Sequence, residues 1–586
     1  MKYYLRRLGL AFSLVLLVFT AAHPVVSAEA YQPDYTEEND VATGNEGMVV
    51  SAHPLASETG YNILNNGGNA MDAAIAMQYV LTVAEPMMSG LGGGGFMMVH
   101  EGETGKTSII NSRERAPGGA DSEMFLDDEG EALPFEERVR SGKSVGVPGT
   151  LRGLEHAHAQ WGTIDMNELI APAISIAEEG FAIDDFLANQ ISDNAEKLQA
   201  TAAKDVFFED EEALKEGDVL VQKDLAKTLG LIRDNGIDYF YNSEISEATA
   251  NAVQEFGGSM TKEDLSNYQV TQDEPIWGEF NGYDIATMPP PSSGGVFMLQ
   301  MLGMLDDFGL SQYDSKSAEK YHLLAEAMHL AYADRAEYAG DPEFVDVPVE
   351  GLLNPDYIDE RKNLISLDEV NENPEAGNPW DYQEGKDEVE NVEQPNDKVD
   401  GQTTHFSVAD KFGNVVSYTT TIEQVFGSGI MVPGYGFMLN NELTDFDAEP
   451  GGANEVQPNK RPLSSMTPTI VFDNGTPVMT AGSPGGQTII TSVLQTIINT
   501  YEYNMDIHSA VTEPRIFSSD IESYRFEEGV PEEVIQSLNE MGHNFEDESE
   551  AIGNVSSIKI DPDTGEYSGA TDRNRNGAAF GLQSGE

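Results

Sequence analysis

A mixed α/β fold is what the sequence predicts, and two observations predict it. Apolar residues recur with helical spacing over 57–83, 165–262 and 318–338, whereas 404–410 and 415–420 are strand-like runs flanking the turn Lys411-Phe412-Gly413-Asn414. At 586 residues, with 40% hydrophobic and 9% aromatic content, the chain can bury a large core despite its charge.

The first residues have the layout of an export signal. Lys2, Arg6 and Arg7 precede an apolar run from Leu8 to about Ala22, and small residues follow, ending Val26-Ser27-Ala28. Cleavage there starts the mature chain near Glu29, with Ala30 as a rival site. The run is short for a membrane span of ~20 residues, so a secreted, extracellular protein is expected.

Residues 57–83 read as two helical segments, with Gly67-Gly68 breaking them and Asn69 placed to cap the second. Gly90, Gly92 and Gly95 match the G-x-G-x-x-G spelling, but a helix precedes them and the strand-like Phe96-Met97-Met98-Val99 follows, the reverse of a dinucleotide site. A close backbone crossing is the better account of those glycines. The stretch 165–262, with amphipathic segments such as 225–237, is expected to cover one face of a sheet. Pro289-Pro290-Pro291-Ser292-Ser293-Gly294-Gly295 is a rigid loop, followed by a buried helix over 296–308 and a further one over 318–338. From about 368 to 400 the composition turns to Glu, Asp, Asn, Pro and Gly, the signature of an exposed, poorly packed segment. The hairpin follows at once and puts Thr403 at the mouth of a strand.

Chemistry gathers in an ensemble of short motifs: Gln402-Thr403-Thr404-His405, Asn440-Asn441-Glu442-Leu443-Thr444-Asp445-Phe446, Pro462-Leu463-Ser464-Ser465-Met466 and Gly482-Ser483-Pro484-Gly485-Gly486. Upstream stand Ser112-Arg113-Glu114-Arg115-Ala116-Pro117 and Val147-Pro148-Gly149-Thr150. Together with the proline loop they resemble the γ-glutamyltransferase family (γ-glutamyltranspeptidase, glutathione hydrolase), in its secreted bacillar form, over nearly the whole mature chain. The resemblance implies an αββα sandwich of the N-terminal-nucleophile hydrolase type, formed jointly by two subunits from one precursor. Its parts are a signal peptide at 1–28, a large subunit at 29–402 with a flexible acidic segment at 368–402, and a small subunit at 403–586 beginning with Thr403. It implies γ-glutamyl donors such as glutathione or glutamine, and water, amino acids or peptides as acceptors.

The nucleophile has its own physical argument. A threonine hydroxyl is weak, but a chain-terminal Thr carries an α-amine with pKa of roughly 7.7–8.0 as its own base. That amine exists only once the Gln402-Thr403 bond is broken, so the precursor has to process itself. By resemblance, Arg113 pairs with the donor's α-carboxylate, for which a guanidinium fork is suited, and Ser464 and Ser465 donate to the same group. Glu423, Glu442 and Asp445 face the α-ammonium, Thr421 hydrogen-bonds Thr403, and Gly485 and Gly486 form the oxyanion hole. Outside this context the ordinary readings are a surface ion pair of Arg113 with Glu114, a local turn at the serines and solvent-facing acids at Glu423 and Glu442.

Two other patterns are set aside. Asp572-Arg573-Asn574-Arg575-Asn576-Gly577 spells half a calcium loop, but Gln583 stands at position twelve where Glu belongs. His156 and His158, at i and i+2, face apart on a helix. No metal and no cofactor are implied. The alternatives are a cephalosporin acylase, a capsule-anchoring depolymerase acting on poly-γ-glutamate, or a binding or surface-layer protein on the same fold. Only residues 447–457 separate Phe446 from Pro458, too few for the lid that many relatives carry, so the pocket is expected to stay open.

Zero cysteines exclude a disulfide framework, a zinc-thiolate site and a Cys nucleophile. The net charge of −69, from 101 acids against 32 bases, makes nucleic acid and anionic lipid poor partners and points to a salt-adapted protein. Thermal midpoints should therefore rise with NaCl up to molar concentration as acid–acid repulsion is screened. A flat or falling series means that the acids are not under mutual strain.

Overall fold

The computed structural model describes residues 30–385, 401–522, 524–545 and 548–584. The export signal expected over 1–28 lies outside them. Fourteen strands build the core: β1 (Val41–Gly44), β2 (Gly47–Ser51), β3 (Gly94–His100), β4 (Thr107–Asn111), β5 (Thr271–Asp273), β6 (Ile276–Phe280), β7 (Tyr283–Thr287), β8 (Thr403–Asp410), β9 (Val415–Thr421), β10 (Thr469–Asp473), β11 (Thr476–Gly482), β12 (Ser556–Ile560), β13 (Tyr567–Thr571) and β14 (Ala578–Leu582). They form two seven-stranded antiparallel sheets, ordered β14-β2-β8-β9-β3-β4-β5 and β1-β13-β12-β11-β10-β7-β6.

The sheets face each other across a sealed apolar layer that includes Met48, Phe96, Met98, Ile470, Phe472 and Ile558. Helices close both outer faces. On the first sheet lie α1 (Pro54–Asn65) and α2 (Ala70–Ala84), with α3 (Met166–Glu179) and α4 (Lys223–Asn235) stacked outside α2. On the second lie α5 (Gly294–Leu305) and, later in the chain, the helix α7 (Thr488–Tyr501), with α6 (Ala318–Tyr338) stacked outside α5. This is the αββα sandwich that the resemblance implied. Both sheets mix strands from before Thr403 with strands from 403 onward, so neither part has a complete sheet of its own.

Local chemistry explains the elements. Asn69 caps α2 reciprocally with Asp72, and every residue of α2 is buried, as its unbroken apolar run requires. The hairpin turn is organised by Asp410, which accepts from the Phe412 and Asn414 amides at 2.8 and 3.0 Å and from the first amide of α2, Ala70, at 2.8 Å. The expected glycine crossing is present at two of the three positions: a Cβ on Gly92 would stand 2.0 Å from the Met438 carbonyl oxygen and one on Gly95 2.5 Å from that of Thr419, whereas at Gly90 the nearest atom is 3.6 Å away. A Cβ on Gly93, between them, would stand 2.0 Å from the Thr421 carbonyl oxygen.

One expectation needs correction. The segment from 368 is not loose throughout, because residues 370–383 are tied to the second helical layer. The Gly377 amide donates to Asp334 at 2.9 Å, Arg361 donates to the Glu375 carbonyl at 2.8 Å, and Trp380 packs on the apolar layer beneath. These anchors are largely backbone groups, which composition does not register. Residues 386–400 lie outside the described part.

Candidate active site

Strand β8 begins at Thr403, β9 ends at Thr421, and the antiparallel register sets the two residues opposite each other. Thr403 Oγ1 donates to Thr421 Oγ1 at 3.2 Å, and Thr421 Oγ1 donates to the Gln402 carbonyl oxygen at 2.9 Å. The Glu423 amide donates to Thr421 Oγ1 at 2.8 Å. One hydroxyl therefore polarises the Gln402 carbonyl with its proton while its lone pairs hold Thr403 in place. A polarised carbonyl beside the hydroxyl of the next residue is the arrangement that an N-to-O acyl shift needs.

Arg575 straddles the same peptide bond. Its Nη1 donates to the Thr403 carbonyl at 2.7 Å and its Nη2 to Gln402 Oε1 at 2.9 Å. Glu85 balances it at 3.7 Å and accepts from Thr404 Oγ1 at 2.7 Å. Burial pushes the Glu85 carboxyl up and the Arg575 guanidinium down, and each opposes the other's shift. His405 is held by Thr419 Oγ1 at 2.8 Å and Ser407 Oγ at 3.2 Å, and burial lowers its imidazole to about 3, so it stays neutral.

A second wall is built on Arg113. It is buried and ion-pairs with Glu442 and, through Nη2 at 2.6 Å, with Asp445 Oδ2, while Nη2 also donates to the Leu463 carbonyl at 2.7 Å. The residues that the resemblance assigns to the two charges of one substrate are thus brought together and paired with each other. Glu423 and Glu442 are buried and do not face solvent. The Glu423 carboxylate accepts from Asn441 Nδ2 at 2.6 Å, Gln424 Nε2 at 3.1 Å and Thr444 Oγ1 at 3.3 Å. Its backbone, at φ 79°, sits in the left-handed region that side chains rarely adopt. The Arg113–Glu114 surface pair is absent, since Glu114 is itself buried and neither carboxyl oxygen has a hydrogen-bond partner among the described residues. Burial raises the Glu114 carboxyl to about 8 against the opposing pull of Arg113.

Ser464 Oγ accepts from the Met466 amide at 3.1 Å, and Ser465 Oγ accepts from Arg335 Nη2 at 3.0 Å. Gly485, at φ 123°, and Gly486, at φ 56°, form the turn into the N-terminus of α7, where the helix dipole favours an oxyanion. The loop starts where Gly482 abuts the ring of His405, two residues along β8 from Thr403: a Cβ at 482 would stand 2.2 Å from that ring.

The Gamma-glutamyltranspeptidase family profile matches residues 56–582. The chain belongs to the γ-glutamyltranspeptidase family. It is 62% identical over 572 residues to the glutathione hydrolase proenzyme of Bacillus subtilis (strain 168), covering 97% of each chain. Among solved structures it resembles a cephalosporin acylase from Bacillus halodurans, with TM-score 0.83 and 28% identity over 94% of this chain and 98% of that one. It also resembles the γ-glutamyltranspeptidase of Helicobacter pylori, with TM-score 0.55 and 38% identity over 57% of this chain and 96% of that one.

Within this γ-glutamyltranspeptidase fold, sequence reasoning missed Glu85, Arg575 and Arg335. Arg575 was in view only as part of the rejected calcium loop. That run is occupied otherwise: Asp572 pairs with Arg515, Asn574 donates to Glu527 at 3.0 Å and Asn576 to Asp184 at 2.9 Å. The one signal pointing to Arg575 was its place among the few bases of an acidic chain.

Arg575→Met should slow cleavage before Thr403 by at least ten-fold, because the scissile segment loses two charge-assisted hydrogen bonds. A time course on denaturing gels measures this, and an unchanged rate removes Arg575 from the processing machinery. Glu114 generates a second expectation. Its folded-state pKa is raised, so its contribution to stability is full below the ordinary carboxyl value and is lost as pH rises through about 8. Glu114→Gln cannot ionise, so between about pH 5 and about pH 9 its thermal midpoint should fall less than that of the parent. Parallel curves for the two proteins count against a buried, protonated Glu114.

Proposed function

We propose that this chain is a self-processing γ-glutamyltransferase with Thr403 as its nucleophile. The observation that carries the reading is the Thr421 hydroxyl bridging Thr403 Oγ1 and the Gln402 carbonyl oxygen. In the precursor, Thr403 Oγ1 attacks the Gln402 carbonyl carbon, the C–N bond breaks, and an ester links Gln402 to the Thr403 oxygen. Water hydrolyses that ester, leaving Gln402 as a carboxyl terminus and Thr403 with a new α-amine. The interleaved sheets keep 29–402 and 403–586 together as large and small subunits.

In the mature enzyme the α-amine takes the Thr403 hydroxyl proton as the oxygen attacks the γ-carbonyl of a donor. The Gly485–Gly486 turn stabilises the oxyanion, the amine leaves with a proton, and a γ-glutamyl ester remains on Thr403. Water or an amine acceptor then resolves the ester. The donor's head group is a zwitterion: on this reading Arg113, Ser464 and Ser465 take its carboxylate and Glu423, Glu442 and Asp445 its ammonium, the donor's two charges replacing the pairing of Arg113 with Glu442 and Asp445. Glutathione is the first donor to test, given the glutathione hydrolase relative in Bacillus subtilis. No cofactor takes part in this scheme.

An export signal at 1–28, a secreted location and salt adaptation belong to the same reading and rest on the sequence. Breadth of donor has one support. The stretch 447–457 folds back on itself, with the Asp447 amide bonded to the Asn454 carbonyl and Lys460 Nζ to the carbonyls of Ala453 and Glu455. This favours a lidless pocket that admits γ-glutamyl chains such as poly-γ-glutamate. The likeness to a cephalosporin acylase gives the runner-up, a side-chain acylase.

Purified protein should split into two pieces, the smaller beginning with Thr403, and should release the chromophore from a γ-glutamyl anilide. Thr403→Ala should stay whole and inactive. A parent that stays uncut, or a variant that still splits at this bond, overturns the reading. Preference for glutaryl anilide, which lacks the α-amine, transfers the assignment to an acylase.

A further inference from the structure

The proline loop and helix α6 remain without a role in this chemistry, yet they converge on the Ser464–Ser465 pair. Ser293 donates to the Ser464 carbonyl twice, from its amide at 2.8 Å and its hydroxyl at 2.7 Å. The Ser464 amide donates to the Pro291 carbonyl at 3.0 Å, and Ser292 Oγ to the Met466 carbonyl at 2.6 Å. Arg335, on α6, binds both strands of this clamp, with Nε on Ser293 Oγ at 2.9 Å and Nη2 on Ser465 Oγ at 3.0 Å. One turn earlier, Tyr332 donates to the Gln487 carbonyl at 2.6 Å, beside the Gly485–Gly486 turn. A single face of α6 therefore holds two walls of the site.

A guanidinium has only donors, so Ser465 Oγ must accept from Arg335 and its single proton must point elsewhere. Ser293 obeys the same logic, accepting from Arg335 and giving its proton to the Ser464 carbonyl. Two residues earlier in the segment, Arg113 donates to the carbonyls of Pro462 at 3.4 Å and Leu463 at 2.7 Å. The segment 462–465 is thus held by two guanidinium groups, Arg113 on the carbonyls of 462 and 463 and Arg335 on the hydroxyl of 465.

We propose that Arg335 is a positioning residue for donor selectivity: by donating to one lone pair of Ser465 Oγ, it keeps that hydroxyl's proton from pointing back at α6 and leaves it for the donor's α-carboxylate. The inference rests on the proposed γ-glutamyltransferase activity and deepens it, because it makes discrimination for donors bearing an α-carboxylate depend on a residue that does not touch the donor. Ordinary loss of packing would lower activity on all donors alike. Loss of proton direction penalises only donors whose carboxylate receives that proton.

The test compares γ-glutamyl p-nitroanilide with 4-aminobutyryl p-nitroanilide, the same donor without its α-carboxylate. In Arg335→Met, KM for the γ-glutamyl anilide should rise about ten-fold with kcat changed less, and the kcat/KM ratio between the two donors should fall about ten-fold. Ser465→Ala should do the same, and the double variant should be no worse than Ser465→Ala alone, since both act through one hydroxyl. Self-cleavage and thermal midpoint report folding. If Arg335→Met fails to fold, Arg335→Lys carries the test and should lower the ratio in part. An unchanged donor ratio, or effects that multiply in the double variant, overturns the proposal. A parent that cleaves no γ-glutamyl anilide defeats the activity itself, and this inference with it.

Discussion

A threonine hydroxyl has one proton to give and two lone pairs to receive with, and Thr421 uses all three, on Gln402, Thr403 and Glu423. That saturation depends on register. Slipping the β8–β9 pair by one residue would turn Thr421 to the other face of the sheet and leave the Gln402 carbonyl without its donor. The surrounding architecture protects the register. The glycines at 92 and 93 let the backbone at 438 and 421 approach where no side chain fits, and Asp410 locks the far end of the hairpin to the first turn of α2.

The interleaving of the sheets has a functional consequence. Strands β8 and β9 lie together between β2 and β3, so the hairpin that follows the scissile bond is flanked on both sides by strands that precede it. Breaking the bond before Thr403 creates two chain ends, at Gln402 and Thr403, and leaves the strand pairings of both sheets in place. A new terminus can then form at the head of a central strand, a place where a chain end is otherwise hard to put.

Charge is handled differently at the surface and at the site. The excess of acids lies where solvent and salt can screen it, whereas the buried acids of the site are matched to particular donors. Glu442 and Asp445 meet Arg113, Glu85 meets Arg575, and Glu423 is held by amide and hydroxyl groups. Glu114 is the exception, buried beside Arg113 with no hydrogen-bond partner for its carboxyl oxygens among the described residues, and burial favours its neutral form.

The two helices at 54–84, the helix at 318–338, the hairpin and the glycine crossing were all legible in the sequence, because each rests on local periodicity or on residue types with one conformational use. The site's inner residues were legible only through resemblance. Glu85 and Arg575 are 490 positions apart, and nothing local marks either as the partner of a peptide bond at 402. The sequence by itself determined where strands and helices form and which motifs share a family, since periodicity, turn chemistry and residue spacing are properties of neighbours. The tertiary structure alone decided that residues 370–383 are anchored, that Arg113 is paired with Glu442 and Asp445, and that Arg335 stands behind the serines. Those are contacts between distant segments, and the free energy that selects them comes from burying groups that no local pattern brings together.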